Sequence, residues 1–151
     1  MTYLLSYRRK RKPMKKNRLN IDIPFFDVDA YRVVWHGNYP KYMEMARCAL
    51  LSEIGCPYSV MEELGFFFPI VDIQVKYIKP LLFEQKVVVE SWLTEWENRL
   101  KISYAIKDRD TGEVFTKGKT TQFAVAMPEQ ITQYESPAFL TDAVTAWINK
   151  P

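Results

Sequence analysis

One change of period constrains this chain more than any other feature. From residue 38 to 54 the apolar residues recur at helical spacing. Tyr39, Tyr42, Met43, Ala46, Ala49, Leu50 and Ile54 fall on one face, with Lys41, Glu44, Arg47 and Glu53 between them. Asn38-Tyr39-Pro40 suits a helix start, because an asparagine side chain can accept from free backbone N–H groups and proline fits the first turn; Gly55 and Pro57 end the run. A short helix or turn follows over 58–64, with Ser59 and Glu62 at capping-box spacing. After residue 66 the period falls to two. Val71, Ile73, Val75 and Tyr77 alternate with Asp72, Gln74 and Lys76 and predict a half-buried strand; 86–96, 100–107 and 113–127 read as three more, with Gly118 marking a bend or bulge in the last. Ahead of the helix, 18–26 alternates too, and 137–149 reads as a short terminal helix.

One strand, one long apolar helix and four strands joined by short turns do not make the strand–helix alternation of a parallel α/β fold. The helix face needs cover. A single antiparallel five-stranded sheet wrapped around one long central helix supplies it, an α+β arrangement. At 151 residues and 48% hydrophobic content the chain suits one such core, so residues 18–151 are expected to form one domain.

Residues 1–18 hold eight of the 21 basic residues and no acid, which leaves 13 against all 18 acids and a formal charge of about −5 over residues 19–151. A reader of nucleic acid would carry its positive charge on the folded surface, so the charge pattern speaks against nucleic-acid binding and predicts a disordered basic tail over 1–17. Met14 offers a second start that would make residues 1–13 dispensable for the fold. No apolar run approaches the roughly 20 residues of a membrane-spanning helix, and the apolar residues at the amino terminus precede the charges, the reverse of a secretory signal. Two cysteines, Cys48 and Cys56, without a histidine nearby make neither a disulfide framework nor a zinc site; they read as reduced thiols in a cytoplasmic protein.

Chemistry concentrates in FFDVDAYRVVWHGNY, Phe25 to Tyr39, which holds two aspartates and the only histidine of the chain. Three readings compete. An aspartate pair after a strand can bind a divalent cation, but the folds that use it so need a parallel sheet. A polar turn, with Asp27 bonded to backbone N–H groups and His36 satisfied near the core, needs no function. The third is acyl chemistry: the first turn of the helix presents unpaired N–H groups and partial positive charge to a carbonyl oxygen gaining negative charge, Asp29 and His36 flank that turn, and Gly37 lets a substrate approach the backbone closely.

The run Asp27 to Arg47, DVDAYRVVWHGNYPKYMEMAR, resembles the signature of 4-hydroxybenzoyl-CoA thioesterase-like hotdog proteins, roughly D-T-D-A-x-G-V-V-Y-H-x-N-Y-x-x-Y-x-E-x-A-R, and the likeness extends from about residue 18 to 127. The resemblance implies a hotdog fold and hydrolysis of an acyl-CoA or acyl-carrier-protein thioester, with no cofactor and no metal. It implies Asp29 as the catalytic carboxylate, general base or nucleophile, with His36 beside it and the helix start at Gly37, Asn38 and Tyr39 polarising the thioester carbonyl. It further implies a homodimer or homotetramer with sites at subunit interfaces. Asp27 reads as a turn residue, Glu44 as a rival carboxylate whose spacing to Arg47 suits an ion pair, and Arg99 and Lys101 as candidate contacts to the phosphates of coenzyme A. A non-catalytic acyl-CoA-binding module of the same fold is the alternative. The chain departs from the signature at Trp35, for tyrosine, and at Arg32, for glycine; if that position needs a positive φ, arginine costs on the order of 1 kcal/mol.

Overall fold

The computed structural model describes residues 14–151; the basic run Arg8–Lys12 lies outside the described residues. The fold is α+β. Strand β1 (Asn17–Asp22) leads through a short 3-10 turn, Phe25–Asp27, and a second, His36–Asn38, into the long helix α1 (Tyr39–Ile54). Helix α2 (Tyr58–Glu63) and strands β2 (Phe66–Phe67), β3 (Ile70–Tyr77), β4 (Lys86–Glu95), β5 (Leu100–Asp108), β6 (Val114–Gln122), β7 (Ala124–Ala126) and β8 (Ile131–Gln133) follow, and helix α3 (Ala138–Ile148) ends the order. Five strands form one antiparallel sheet in the order β1-β4-β5-β6-β3, while β2, β7 and β8 form a separate small sheet.

Period two explains the inner face. Val89, Ser91 and Leu93 of β4 register with Ile106, Tyr104 and Ile102 of β5, and these in turn with Thr116, Gly118 and Thr120 of β6, all buried. Tyr42, Met43, Ala46 and Leu50 of α1 close over them, and the Ser91 hydroxyl reaches the Ala46 carbonyl at 3.4 Å. Helix α1 ends as its sequence predicts, at Gly55 with φ +95°, a left-handed conformation that glycine adopts without strain.

Several expectations change. The chain enters the fold earlier than residue 18: Lys15 donates to the carbonyls of Trp147 and Lys150, Lys16 and Arg18 flank Glu90, and Asn17 opens β1. Strand β3 is not half-buried, because it is the sheet edge and α1 packs toward β1 and β4; only Val75 is partly covered, and Ile70, Val71, Ile73 and Tyr77 are exposed. The expected final strand breaks at Phe123, where the chain leaves the large sheet for the small one. Gly118 sits in regular register rather than in a bulge. A Cβ there would lie 2.6 Å from the Met43 Cε, so the glycine admits the helix side chain against the sheet. Pro57, not Ser59, precedes α2, and no side chain caps it.

Candidate active site

The loop between β1 and α1 is held by Asp27, which is 3% exposed. Its Oδ2 accepts the Tyr42 hydroxyl at 2.6 Å, its Oδ1 lies 2.5 Å from Lys41 Nζ, and its backbone carbonyl accepts the Asn38 side-chain amide at 2.9 Å and the Trp35 N–H at 3.0 Å. The carboxylate therefore ties the loop to the first turn of α1 through side chains, where a bond to backbone N–H groups was expected. Burial and the hydrogen bond to Asp27 push the Tyr42 hydroxyl far above the ordinary tyrosine range, so it stays a donor. Asp27 has no free oxygen for chemistry.

Asp29 stands on a tight turn, its N–H bonded to the Val33 carbonyl and its own carbonyl to the Arg32 N–H, both at 2.9 Å. One carboxylate oxygen accepts the Tyr31 N–H at 2.8 Å; the other has no hydrogen-bond partner among the described residues. The turn closes through Arg32 at φ +62°, in the left-handed region that the family glycine would take without strain.

Asp29 and His36 line one cleft of about 260 Å³, together with Tyr39, Tyr77 and Ile78. The Tyr39 ring meets Tyr77 edge-on at 4.7 Å and its buried hydroxyl accepts the Leu81 N–H at 3.2 Å; burial raises its pKa. The Tyr77 hydroxyl donates to the His36 carbonyl at 2.8 Å, which pins the turn entering α1 to the end of β3. Among the described residues no side chain caps α1: the Asn38 side chain turns toward the loop, where its Nδ2 donates to the Asp27 carbonyl. The helix start keeps its positive end beside the cleft.

Four expected site residues lie outside this cleft. A Cβ on Gly37 would lie 2.3 Å from the Trp35 ring, so the space beside this glycine is filled by the indole, whose ring centre lies 5.2 Å from that of His36 at a tilt of 51°. Neither Gly37 nor Asn38 lines the cleft. Arg99 pairs with Glu95 at 3.0 Å on the β4–β5 hairpin and Lys101 follows it on β5; neither lines the cleft either. Glu44 lies 3.7 Å from Arg47 and borders a separate, larger cavity that Asp29 does not line. Tyr77, which the alternation of β3 presents as an ordinary strand position, is a cleft residue, and so is Ile78 just after the strand; only the pairing of the tyrosine with the loop in space reveals this. Among the described residues no group of three or more His, Cys, Asp or Glu is placed to hold a metal ion, and no helix is long and apolar enough to cross a membrane.

Residues 23–148 match the Thioesterase-like superfamily. A putative acyl-CoA thioesterase of Bacillus subtilis, YneP, is 32% identical over 135 residues, covering 81% of this chain and 97% of the relative. Among solved structures, a DHNA-CoA thioesterase from Staphylococcus aureus superposes with a TM-score of 0.77 at 26% identity, covering 87% of this chain and 88% of that one. SAV2348 from the same organism, solved in complex with CoA, reaches 0.80 at 11% identity over 91% of this chain and 87% of that one, a likeness of fold alone.

Proposed function

The chain belongs to the thioesterase-like superfamily, and from that membership we propose that it hydrolyses acyl-CoA thioesters at the Asp29–His36 cleft. One observation carries the assignment of the site: the unpartnered oxygen of Asp29, the imidazole of His36 and the uncapped start of α1 border a single cleft. In this reading Asp29 takes a proton from water as it attacks the thioester carbonyl, or attacks the carbonyl itself. The partial positive charge at the start of α1, where Tyr39 borders the cleft, meets the oxygen as it gains charge, and His36 orients the water or assists the departing thiolate. The leaving thiol is coenzyme A or the pantetheine of an acyl-carrier protein. Water is the only other reactant, so the reaction needs no cofactor.

The active unit in this proposal is a homodimer, or a tetramer built from it. Among the described residues strand β3 has no partner on its outer edge, and Ile70, Val71, Ile73 and Tyr77 on it and Ile78 just after it are exposed, a combination that soluble chains cover. A second copy pairing there antiparallel would continue the sheet and wall the cleft. Two unbridged thiols, Cys48 and Cys56, suit the cytoplasm, where coenzyme A thioesters are made and used.

The test is release of free thiol from a panel of acyl-CoA and acyl-carrier-protein thioesters, read with a thiol reagent. The proposal expects turnover of at least one of them. Binding without thiol release from any would replace it with a non-catalytic acyl-CoA-binding module.

A further inference from the structure

We propose that the outer face of the five-stranded sheet, the one turned away from α1, docks the protein on an anionic lipid bilayer, with Lys117 and Lys119 among the side chains that hold it there. Docking at this face is independent of the chemistry of the Asp29 cleft.

Register and alternation define the face. The positions between the buried inner residues point the other way, in rows that cross the sheet: Arg18, Glu90, Ala105, Lys117 and Lys76 in one, Trp92, Ser103, Lys119 and Gln74 in the next. Lys86, Lys101 and Lys107 stand on flanking rows, so the face carries seven basic residues against three acidic ones, Asp22, Asp72 and Glu90. Glu90 already lies among Lys16, Arg18 and Lys107, and Asp22 pairs with Arg109 at 2.9 Å. Among the described residues Lys76, Lys117 and Lys119 enter no ion pair. Lys76 and Lys117 stand directly opposite each other, a like-charge pairing that costs the sheet stability. Together with Lys119 they line a groove of about 380 Å³ between β3 and β6.

This charge runs against the rest of the domain. Residues 19–151 hold 13 basic and 18 acidic residues, and setting aside the six lysines and three acids of this face leaves seven against fifteen. The molecule is therefore an electric dipole, which a negatively charged plane orients with its basic face inward.

The make-up of the face narrows the partner. Duplex nucleic acid is read by a helix or ribbon that enters a groove, and single strands by exposed rings that stack on bases. Here the strands lie in one sheet, and Trp92 lies under Lys16 Nζ at 4.6 Å. A second copy on the same face would set lysine against lysine. A bilayer of anionic lipids requires only cations spread over a surface. The sequence extends the same charge: residues 1–13 precede the described chain and hold Leu4 and Leu5 followed by the run Arg8–Lys12. They join the fold just before Lys16, whose ammonium sits on this face over Trp92. Apolar insertion and attraction to anionic headgroups add in binding to a membrane surface.

Co-sedimentation of the full-length protein with phosphatidylcholine vesicles, made with and without phosphatidylglycerol, tests this. Binding is expected only with phosphatidylglycerol present, and salt at about 0.5 M should release it as the screening length falls to about 4 Å. Lys117→Gln should weaken partitioning about fivefold, and the double variant with Lys119→Gln about thirtyfold. Lys150→Gln removes a charge that follows α3, on the helix side of the sheet, and should change partitioning by less than about twofold. Urea midpoints establish that each variant is folded. Five results overturn the proposal: no binding to either kind of vesicle, equal binding to both, undiminished binding by the double variant, a loss from Lys150→Gln equal to that from Lys117→Gln, or tighter binding per phosphate to a DNA duplex or to RNA than to the anionic vesicles.

Discussion

Replacing Asp27 with asparagine probes the loop without touching the residue assigned the chemistry. The change keeps the shape of the side chain and removes its charge. Asp27 accepts from Tyr42 on one oxygen and faces Lys41 on the other; an asparagine can serve only one of them and turns an N–H toward its second neighbour. Lys41 is 45% exposed and regains water, so its share is small. Tyr42 is 1% exposed and does not. A hydrogen bond to a buried charged group contributes about 1.5–3 kcal/mol, so Asp27→Asn should lower unfolding stability by about 2 kcal/mol, a fall of roughly 1 M in the urea midpoint. Tyr42→Phe should cost about as much, and the double variant little more than either, because both remove one interaction. Urea unfolding of the four proteins measures the cycle. A loss under 0.5 kcal/mol for Asp27→Asn, or strictly additive losses, would refute the view that this carboxylate anchors the loop to α1.

Arg32→Gly should be more stable than Arg32→Ala by about 1 kcal/mol, since only glycine takes φ +62° without strain; equal urea midpoints would place the backbone elsewhere. Gly118→Ala should destabilise by about 1–3 kcal/mol through contact with Met43, and Met43→Ala in the same chain should recover part of the loss, as thermal melts would register. Glu90 is buried, which alone would raise its pKa, but Lys107, Lys16 and Arg18 outweigh burial and hold it below the ordinary glutamate value. Its contribution to stability is therefore full above the unfolded value of about 4.3 and is lost as pH falls through the folded value. Melting temperatures of wild type and Glu90→Gln should differ at pH 7 and converge toward pH 3; a constant gap would deny the linkage.

Much of the frame was legible because its signals are local. The face of α1 and the alternation of β5 each follow from spacing within one element, and Asp29 and His36 stand on one short run beside a helix start. What escaped depended on a second element. Alternation in β3 reports which residues share a face, not that α1 packs elsewhere and leaves them bare. Gly118 owes its place to Met43, and Gly37 to Trp35, contacts made across the fold. Spacing sets Arg47 between the apolar positions of α1 and within ion-pair reach of Glu44, but only the fold shows that the Tyr58 hydroxyl of α2 bonds it and that it is buried at a cavity. Asp27 took side-chain partners because the loop returns it to the first turn of the helix, which no spacing rule anticipates.

The central claim is that the two aspartates divide the work, with Asp29 acting on the substrate. Steady-state kinetics of Asp29→Asn and Glu44→Gln on the best thioester, with urea unfolding of both, tests it most directly. The account predicts that Asp29→Asn stays within about 1 kcal/mol of wild-type stability and loses at least about 100-fold in kcat, the scale of general-base catalysis, while Glu44→Gln keeps wild-type kcat to within a few-fold. Near-normal turnover by Asp29→Asn, with the large loss in Glu44→Gln instead, would contradict it and move the chemistry to the other carboxylate.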